Sequence, residues 1–312
     1  MPATLHKCTT VHKLNTGATI PAVGLGTWRS TEDEGYDSTL AALKAGYRHI
    51  DDAAIYLNEA AVGRAIRDSG VPRAEIFVTT KLWGTQHRNP QEALDESLKR
   101  LGLDYVDLYL MHWPVAFKTD HVKDGNYLTI PKNEKGEPDT DVKDWSFIKS
   151  WELMQELPKS GKTKAIGVSN FSVKNLEDLL KASTTKIVPA VNQVETHPLL
   201  PQDELLAYGK EKGILLEAYS PFGSQGSPLL LEAVVKEIAE KNNVDPGQLL
   251  VSWGVQRGYV ILPKSKNPSR IASNFHVIDL SDEDMKALHN ISKEKGEKRF
   301  NTMEFPGFKI FE

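Results

Sequence analysis

The chain has 312 residues, with 38 Lys and Arg against 42 Asp and Glu, for a formal net charge of −4. At about 150 residues per domain, that length admits two ordinary domains or one large α/β barrel. Hydrophobic residues at 40% and charged residues at 26% exclude the disordered, collagen-like and coiled-coil classes. The near balance of charge excludes a broad basic surface for nucleic acid or an anionic membrane, so a bound anion must meet a local cluster of cations. The single cysteine, Cys8, forms no internal disulfide, zinc knuckle or Cys-x-x-Cys pair, and no metal is expected. Residues 1–8 carry no apolar leader run, and no stretch approaches about 18 uninterrupted apolar residues. The expected setting is therefore the reducing cytoplasm, with the Asn-x-Ser sequons at Asn170 and Asn290 as chance matches.

In chain order, residues 11–21 alternate around Asn15, Thr16 and Gly17 and predict an N-terminal β-hairpin. Apolar runs then predict strands at 23–28, 47–53, 76–82, 106–113, 165–170, 190–195, 214–220 and 259–265. Their β-branched and aliphatic character suits strands buried on both faces. Between them, Thr31 with Glu34 forms a capping-box pattern for a helix stopped by Gly46, and Asn58 is placed to cap the next. Leu94, Leu98 and Leu101, and then Phe147, Trp151 and Met154, keep helical spacing; Asp245 and Pro246 open a helix carrying Trp253. Trp145 is grouped with Trp151 and Trp253 as core packing on helical faces.

Strand ends recur mostly every 25 to 30 residues or so, as repeated βα units require, and eight units specify a (β/α)8 TIM barrel. One domain over residues 1–312 is the expected organisation. The surplus length falls in two mouth loops, after Trp113 to about Asp144 and after Pro221, and in an aromatic tail with Phe300, Phe305, Phe308 and Phe311. A doubly wound dinucleotide fold lacks its fingerprint, because residues 24–29 break the Gly-x-Gly-x-x-Gly pattern.

Several strands end in groups that a packed core would not choose: Asp51, Lys81, His112, Ser169 with Asn170, Gln193 with Glu195, Tyr219 with Ser220, and Lys264 with Ser265. A barrel gathers these around one mouth. With Tyr56 nearby they suggest acid/base chemistry, in which Asp51 holds Lys81 charged and Lys81 lowers the phenol pKa. Glu195 and Glu217, on adjacent strands, also admit a glycoside-cleaving carboxylate pair, although Glu217 stands two residues earlier and deeper.

Residues 46–51 (Gly-Tyr-Arg-His-Ile-Asp) with Tyr56, 111–114 (Met-His-Trp-Pro), 167–171 (Gly-Val-Ser-Asn-Phe) and 262–265 (Leu-Pro-Lys-Ser) with Arg270 resemble signatures of the aldo-keto reductase superfamily. The resemblance spans residues 10–312 and is most like fungal NADP-dependent reductases described as glycerol dehydrogenase or 2-methylbutyraldehyde reductase. It implies NADPH-dependent reduction of aldehydes and ketones, keto esters included, with Tyr56 as general acid. It gives Lys81 and Asp51 the tuning of that phenol, and His112 the orientation of the substrate oxygen. Ser169, Asn170 and Gln193 match positions that hold the nicotinamide carboxamide, and Tyr219 the position that stacks on its ring, with Ser220 beside it. Lys264, Ser265 and Arg270 match a clamp on the adenosine 2′-phosphate, with Asn274 also at the cofactor and Lys266 a possible addition, which favours NADPH over NADH.

Trp28, Trp83, Trp113 and Phe300 with the other tail phenylalanines are the expected substrate pocket, joined by Val115 and Phe117; Arg29 is a candidate for an anionic substituent. The partner is a small carbonyl compound, and the expected state is a monomer or weak dimer. A non-catalytic NADPH-binding sensor on the same barrel is the alternative. Two positions depart from the family pattern. Asp52 stands where small residues are common, and strand alternation turns it toward the helix layer, where an unpaired carboxylate lowers stability. Ser273 stands where a Glu commonly meets the adenine.

Overall fold

A computed structural model describes residues 4–120, 122 and 125–311. Residues 1–3 of the N-terminal stretch, and His121, Lys123 and Asp124 of the first mouth loop, lie outside the described residues, as does Glu312. The strands are β1 (His6–Lys7), β2 (Val11–Lys13), β3 (Thr19–Pro21), β4 (Leu25–Gly26), β5 (His49–Asp51), β6 (Phe77–Leu82), β7 (Val106–Met111), β8 (Thr163–Ser169), β9 (Val191–Glu195), β10 (Leu215–Tyr219), β11 (Val260–Leu262) and β12 (His276–Val277). The helices are α1 (Glu32–Ala45), α2 (Glu59–Asp68), α3 (Pro90–Leu101), α4 (Phe147–Met154), α5 (Val173–Lys181), α6 (Asp203–Lys212), α7 (Ala233–Asn242), α8 (Pro246–Gln256), α9 (Pro268–Asn274) and α10 (Asp282–Lys295).

Strands β4 to β11 run parallel in sequence order, each beside its predecessor. The bonds Gly24 N to Ile261 O (2.9 Å) and Ile261 N to Ala22 O (2.8 Å) join first to last, so the sheet closes as the expected (β/α)8 barrel. The first and last strands are shorter than their apolar runs. Thr27 turns its N–H and hydroxyl onto Asp51 O, and Arg29 takes a positive φ of 58°, which ends β4. Pro263, without an N–H, ends β11.

The hairpin of β2 and β3 turns at Gly17 (φ 88°). It lays Leu14 and Ile20 against Phe77, Leu108, Val191 and Val260, plugging the end of the barrel opposite the mouth. Pairing of β1 with β12, which buries Cys8, was not foreseen from the sequence. The capping box of α1 forms, and Gly46 (φ 114°) closes that helix with its N–H on Ala42 O and Leu43 O. Asn58 stands at the head of α2 but does not cap it: its Nδ2 donates instead to Thr27 O and Ser30 O, tying the first mouth turn to the second. Trp145 is also corrected. It precedes α4, is only half-buried, and lies under the Arg88 guanidinium at 4.3 Å, whereas Trp151 and Trp253 are buried core as expected.

Among the described residues, no helix is long and apolar enough to cross a membrane.

Candidate active site

Strand register decides which side chains share the barrel interior. Gln193 pairs with Glu217 on β10 and with Ser169 on β8, and Asp51 lies across the barrel on β5. Lys81, near the end of β6, is fully buried and donates to both Asp51 oxygens at 2.8 Å and to Asp52 O at 2.8 Å. A buried ammonium survives only when paired in this way.

A short 3-10 turn, Ala54–Tyr56, then carries Tyr56 over this pair, with Lys81 Nζ 5.2 Å from the phenol ring centre. The His112 ring meets Tyr56 edge-on at 5.7 Å, and Trp83 edge-on at 5.4 Å. The four residues expected to carry the chemistry are thus brought together.

Their electrostatics differ from the sequence-based expectation in one respect. Burial, and after it the charges of Asp51 and Asp52, hold the Tyr56 phenol well above its usual pKa, so the net effect opposes the lowering expected from Lys81. The reason is geometric: both Asp51 oxygens are spent on Lys81, and that pair presents the phenol with little net positive charge. His112 moves the other way. Burial, then Lys81 and His87, push it well below its usual value, so it stands as a neutral imidazole with one N–H to give.

Beside the tetrad, the groups expected at the nicotinamide form one connected layer. Ser169 Oγ donates to Gln193 O (2.8 Å), and Asn170 Nδ2 donates to His112 O (2.9 Å) and Ser169 Oγ (3.2 Å). Asn170 Oδ1 accepts from Tyr219 OH at 2.7 Å. Asn170 (φ 64°) and Ser220 (φ 50°) are both left-handed, a strained backbone that clusters at functional sites.

Asp52 is fully buried, as strand alternation implied. Its Oδ1 accepts from Thr27 Oγ1 and Ala53 N at 2.8 Å, while Oδ2 has no partner. Burial and the nearby Glu59 charge push its pKa up to about 8, so it keeps its proton at neutral pH.

At the end of β11, Ser265 Oγ lies 3.5 Å from Arg270 Nε. Lys264 is half-buried. Burial lowers its pKa, with Glu34 opposing and the Lys266 and Arg29 charges adding to the fall. A cationic pocket whose members repel one another fits a dianionic phosphate. Lys266 pairs with Glu34 at 2.8 Å, and Arg29 donates to Gln225 of the second mouth loop at 3.0 Å. The Ser273 hydroxyl donates to Asp245, and Asn274 is buried at the head of α8, where a Cβ on Gly247 would meet its Oδ1 at 2.9 Å.

The mouth is roofed by the first loop and the tail. Trp83, Val115, Phe117, Phe305 and Ile310 form a buried cluster, against which Trp113 and Phe311 pack. Trp113 stands 5.4 Å from Phe305 and 6.4 Å from Phe311. Phe300 lies elsewhere, against His197 at 5.3 Å and beside Gly223 of the second loop, and Trp28 is 41% exposed. Trp83 and Trp113 therefore share the roof, whereas Phe300 stands on the side of the second loop.

No sequence pattern indicates what holds the tail. Glu195 accepts from Phe300 N and Asn301 N (2.7 Å each), Asn301 Nδ2 (2.8 Å) and His197 Nε2 (2.8 Å). Asn301 also reaches Ser220 and Ser224. Glu195 is thus a latch, fully engaged, and Glu217 is buried beside its register partner Gln193, so neither carboxyl is open to a glycoside. No metal-holding cluster occurs among the described residues.

The model of the aldo/keto reductase family matches residues 22–293, and the chain belongs to that family. It is 63% identical to aldehyde reductase YPR1 and 61% identical to glycerol 2-dehydrogenase (NADP(+)), both of Saccharomyces cerevisiae, over the whole of each chain. Identity to the D-galacturonate reductase of Hypocrea jecorina is 46%, covering 93% of this chain and 92% of the relative.

Proposed function

We propose that the protein reduces aldehydes and ketones, keto esters among them, to alcohols with NADPH, working as one domain over residues 1–312 in the cytoplasm, as a monomer or weak dimer. The carrying observation is the buried Lys81–Asp51 pair beneath Tyr56 and His112. The names of the full-length yeast relatives support an aldehyde-reducing, NADP-linked enzyme.

The donor set fits NADPH: cations flank Ser265 for the 2′-phosphate, Tyr219 offers a ring at the mouth, and the layer of Ser169, Asn170 and Gln193 offers amide and hydroxyl groups to a carboxamide. When bound, the reduced nicotinamide supplies hydride to the carbonyl carbon. Neutral His112 gives its N–H to the substrate oxygen and fixes the carbonyl over Tyr56. A phenol held above its usual pKa is fully protonated before reaction, as a general acid must be. As negative charge builds on the substrate oxygen, the proton passes to it from Tyr56, and Lys81, its charge shared with Asp51, is the cation placed beside the ring of the phenolate that remains. Trp83 and Trp113, under the tail, exclude water and offer an apolar face to substrates of moderate size.

Loss of reduced-nicotinamide absorbance with a reactive aromatic aldehyde tests this reading. Turnover supports the reductase; tight NADPH binding without turnover supports the sensor alternative instead.

A further inference from the structure

Glu217 lies beneath the mouth and takes no part in the reaction described above. Its Oε2 accepts from Gln193 Nε2 at 2.8 Å, and the same nitrogen donates to Asp51 Oδ1 at 2.7 Å. A primary amide has two N–H hydrogens, and here both are spent. Asp51 alone would engage one of them and leave the other uncommitted. Glu217 withholds that second hydrogen, and the atom of the Gln193 amide left to face a ligand is the acceptor Oε1.

The neighbouring amide is committed in the same sense, because both Asn170 Nδ2 hydrogens go to His112 O and Ser169 Oγ. Glu217 is also costly to keep. It is fully buried, its Oε1 has no hydrogen-bond partner, and His49 Nε2 comes no closer than 3.9 Å. Burial, then the Asp51 charge, push its pKa up to about 8, so at neutral pH it sits beside the Lys81–Asp51 pair without adding a second negative charge.

We propose that Glu217 is a positioning residue for the cofactor: by taking the second Gln193 hydrogen it makes Gln193 an acceptor, so that the site reads the NH2 of the nicotinamide carboxamide. This rests on the reading that Gln193 meets the nicotinamide.

The test compares dissociation constants, by tryptophan fluorescence, for NADPH and its reduced 3-acetylpyridine analogue, which keeps the carbonyl but replaces NH2 by methyl. Wild type should prefer NADPH by about tenfold, the worth of one well-placed hydrogen bond. Glu217→Met should bring that ratio within about twofold, whereas Glu217→Gln, which still offers an acceptor to Gln193, should keep it. A purely structural role would weaken both ligands alike and leave the ratio unchanged. A Glu217→Met protein with the wild-type ratio overturns the proposal, and so does a wild type that binds both ligands equally, a comparison that needs no variant to fold. Gln193→Ala separates the two levels: if it binds both ligands as wild type does, the placement of Gln193 itself is wrong, whereas loss of preference there but not in Glu217→Met rejects only the role of Glu217.

Discussion

Replacing Asp52 by Asn should stabilise the protein at neutral pH and destabilise it slightly in acid. A carboxyl whose pKa is about 8 when folded and near 3.8 when unfolded binds its proton more tightly in the folded state. Its contribution to stability is fully present below the unfolded value and is lost as pH rises toward the folded one. At 1.36 kcal/mol per pH unit, the loss by neutral pH is about 4 kcal/mol. Asn removes this dependence and keeps an oxygen for Thr27 and Ala53, but brings buried N–H groups that cost about 1–3 kcal/mol. The net gain near pH 7 is about 2 kcal/mol, roughly 3 °C in Tm for a chain of this size. Near pH 4 the proton term vanishes and the variant should be the less stable of the two. Glu217 titrates in the same direction in both proteins and cancels in the comparison. Urea midpoints from about pH 4 to pH 8 test this: parallel curves, or an Asn variant less stable throughout, would refute the buried, protonated state of Asp52.

Two further outcomes are expected. Arg270→Ala should raise the dissociation constant for NADPH by about tenfold or more while leaving that for NADH nearly unchanged, because a charge-assisted contact to the 2′-phosphate is worth about 1.5–3 kcal/mol; equal weakening of both cofactors would move the clamp elsewhere. Asn301→Ala removes the side-chain contacts to Glu195, Ser220 and Ser224. It should raise KM for bulky aldehydes several-fold with little change in Tm, and an unaltered KM would show that the tail does not shape the pocket.

The fold was legible where local pattern and burial agree. Eight strand runs separated by helical repeats left little choice but a barrel, and the α1 capping box with Gly46 reads directly from residue types. The convergence of Asp51, Tyr56, Lys81 and His112 on one mouth was legible because parallel strands end on one face. What escaped was set by contacts between distant segments. Gln193 meets Asp51 across 142 residues, and Glu195 meets Asn301 across 106. No periodicity encodes either. The pKa of Tyr56 escaped for another reason: its sign depends on whether burial outweighs a cation already shared with Asp51, a balance that needs distances. Asn58 illustrates the same limit, since the residue type suits a cap but Thr27 O and Ser30 O lie within reach and take its amide.

The central claim is that Tyr56 delivers the proton in an NADPH-dependent carbonyl reduction. Single-turnover reduction of an aromatic aldehyde by enzyme preloaded with NADPH, comparing wild type with Tyr56→Phe, tests it most directly. The account predicts a hydride-transfer rate lower by about 10²-fold to 10⁴-fold with NADPH affinity unchanged, and a Phe variant that reduces the aldehyde within a few-fold of wild type would contradict it.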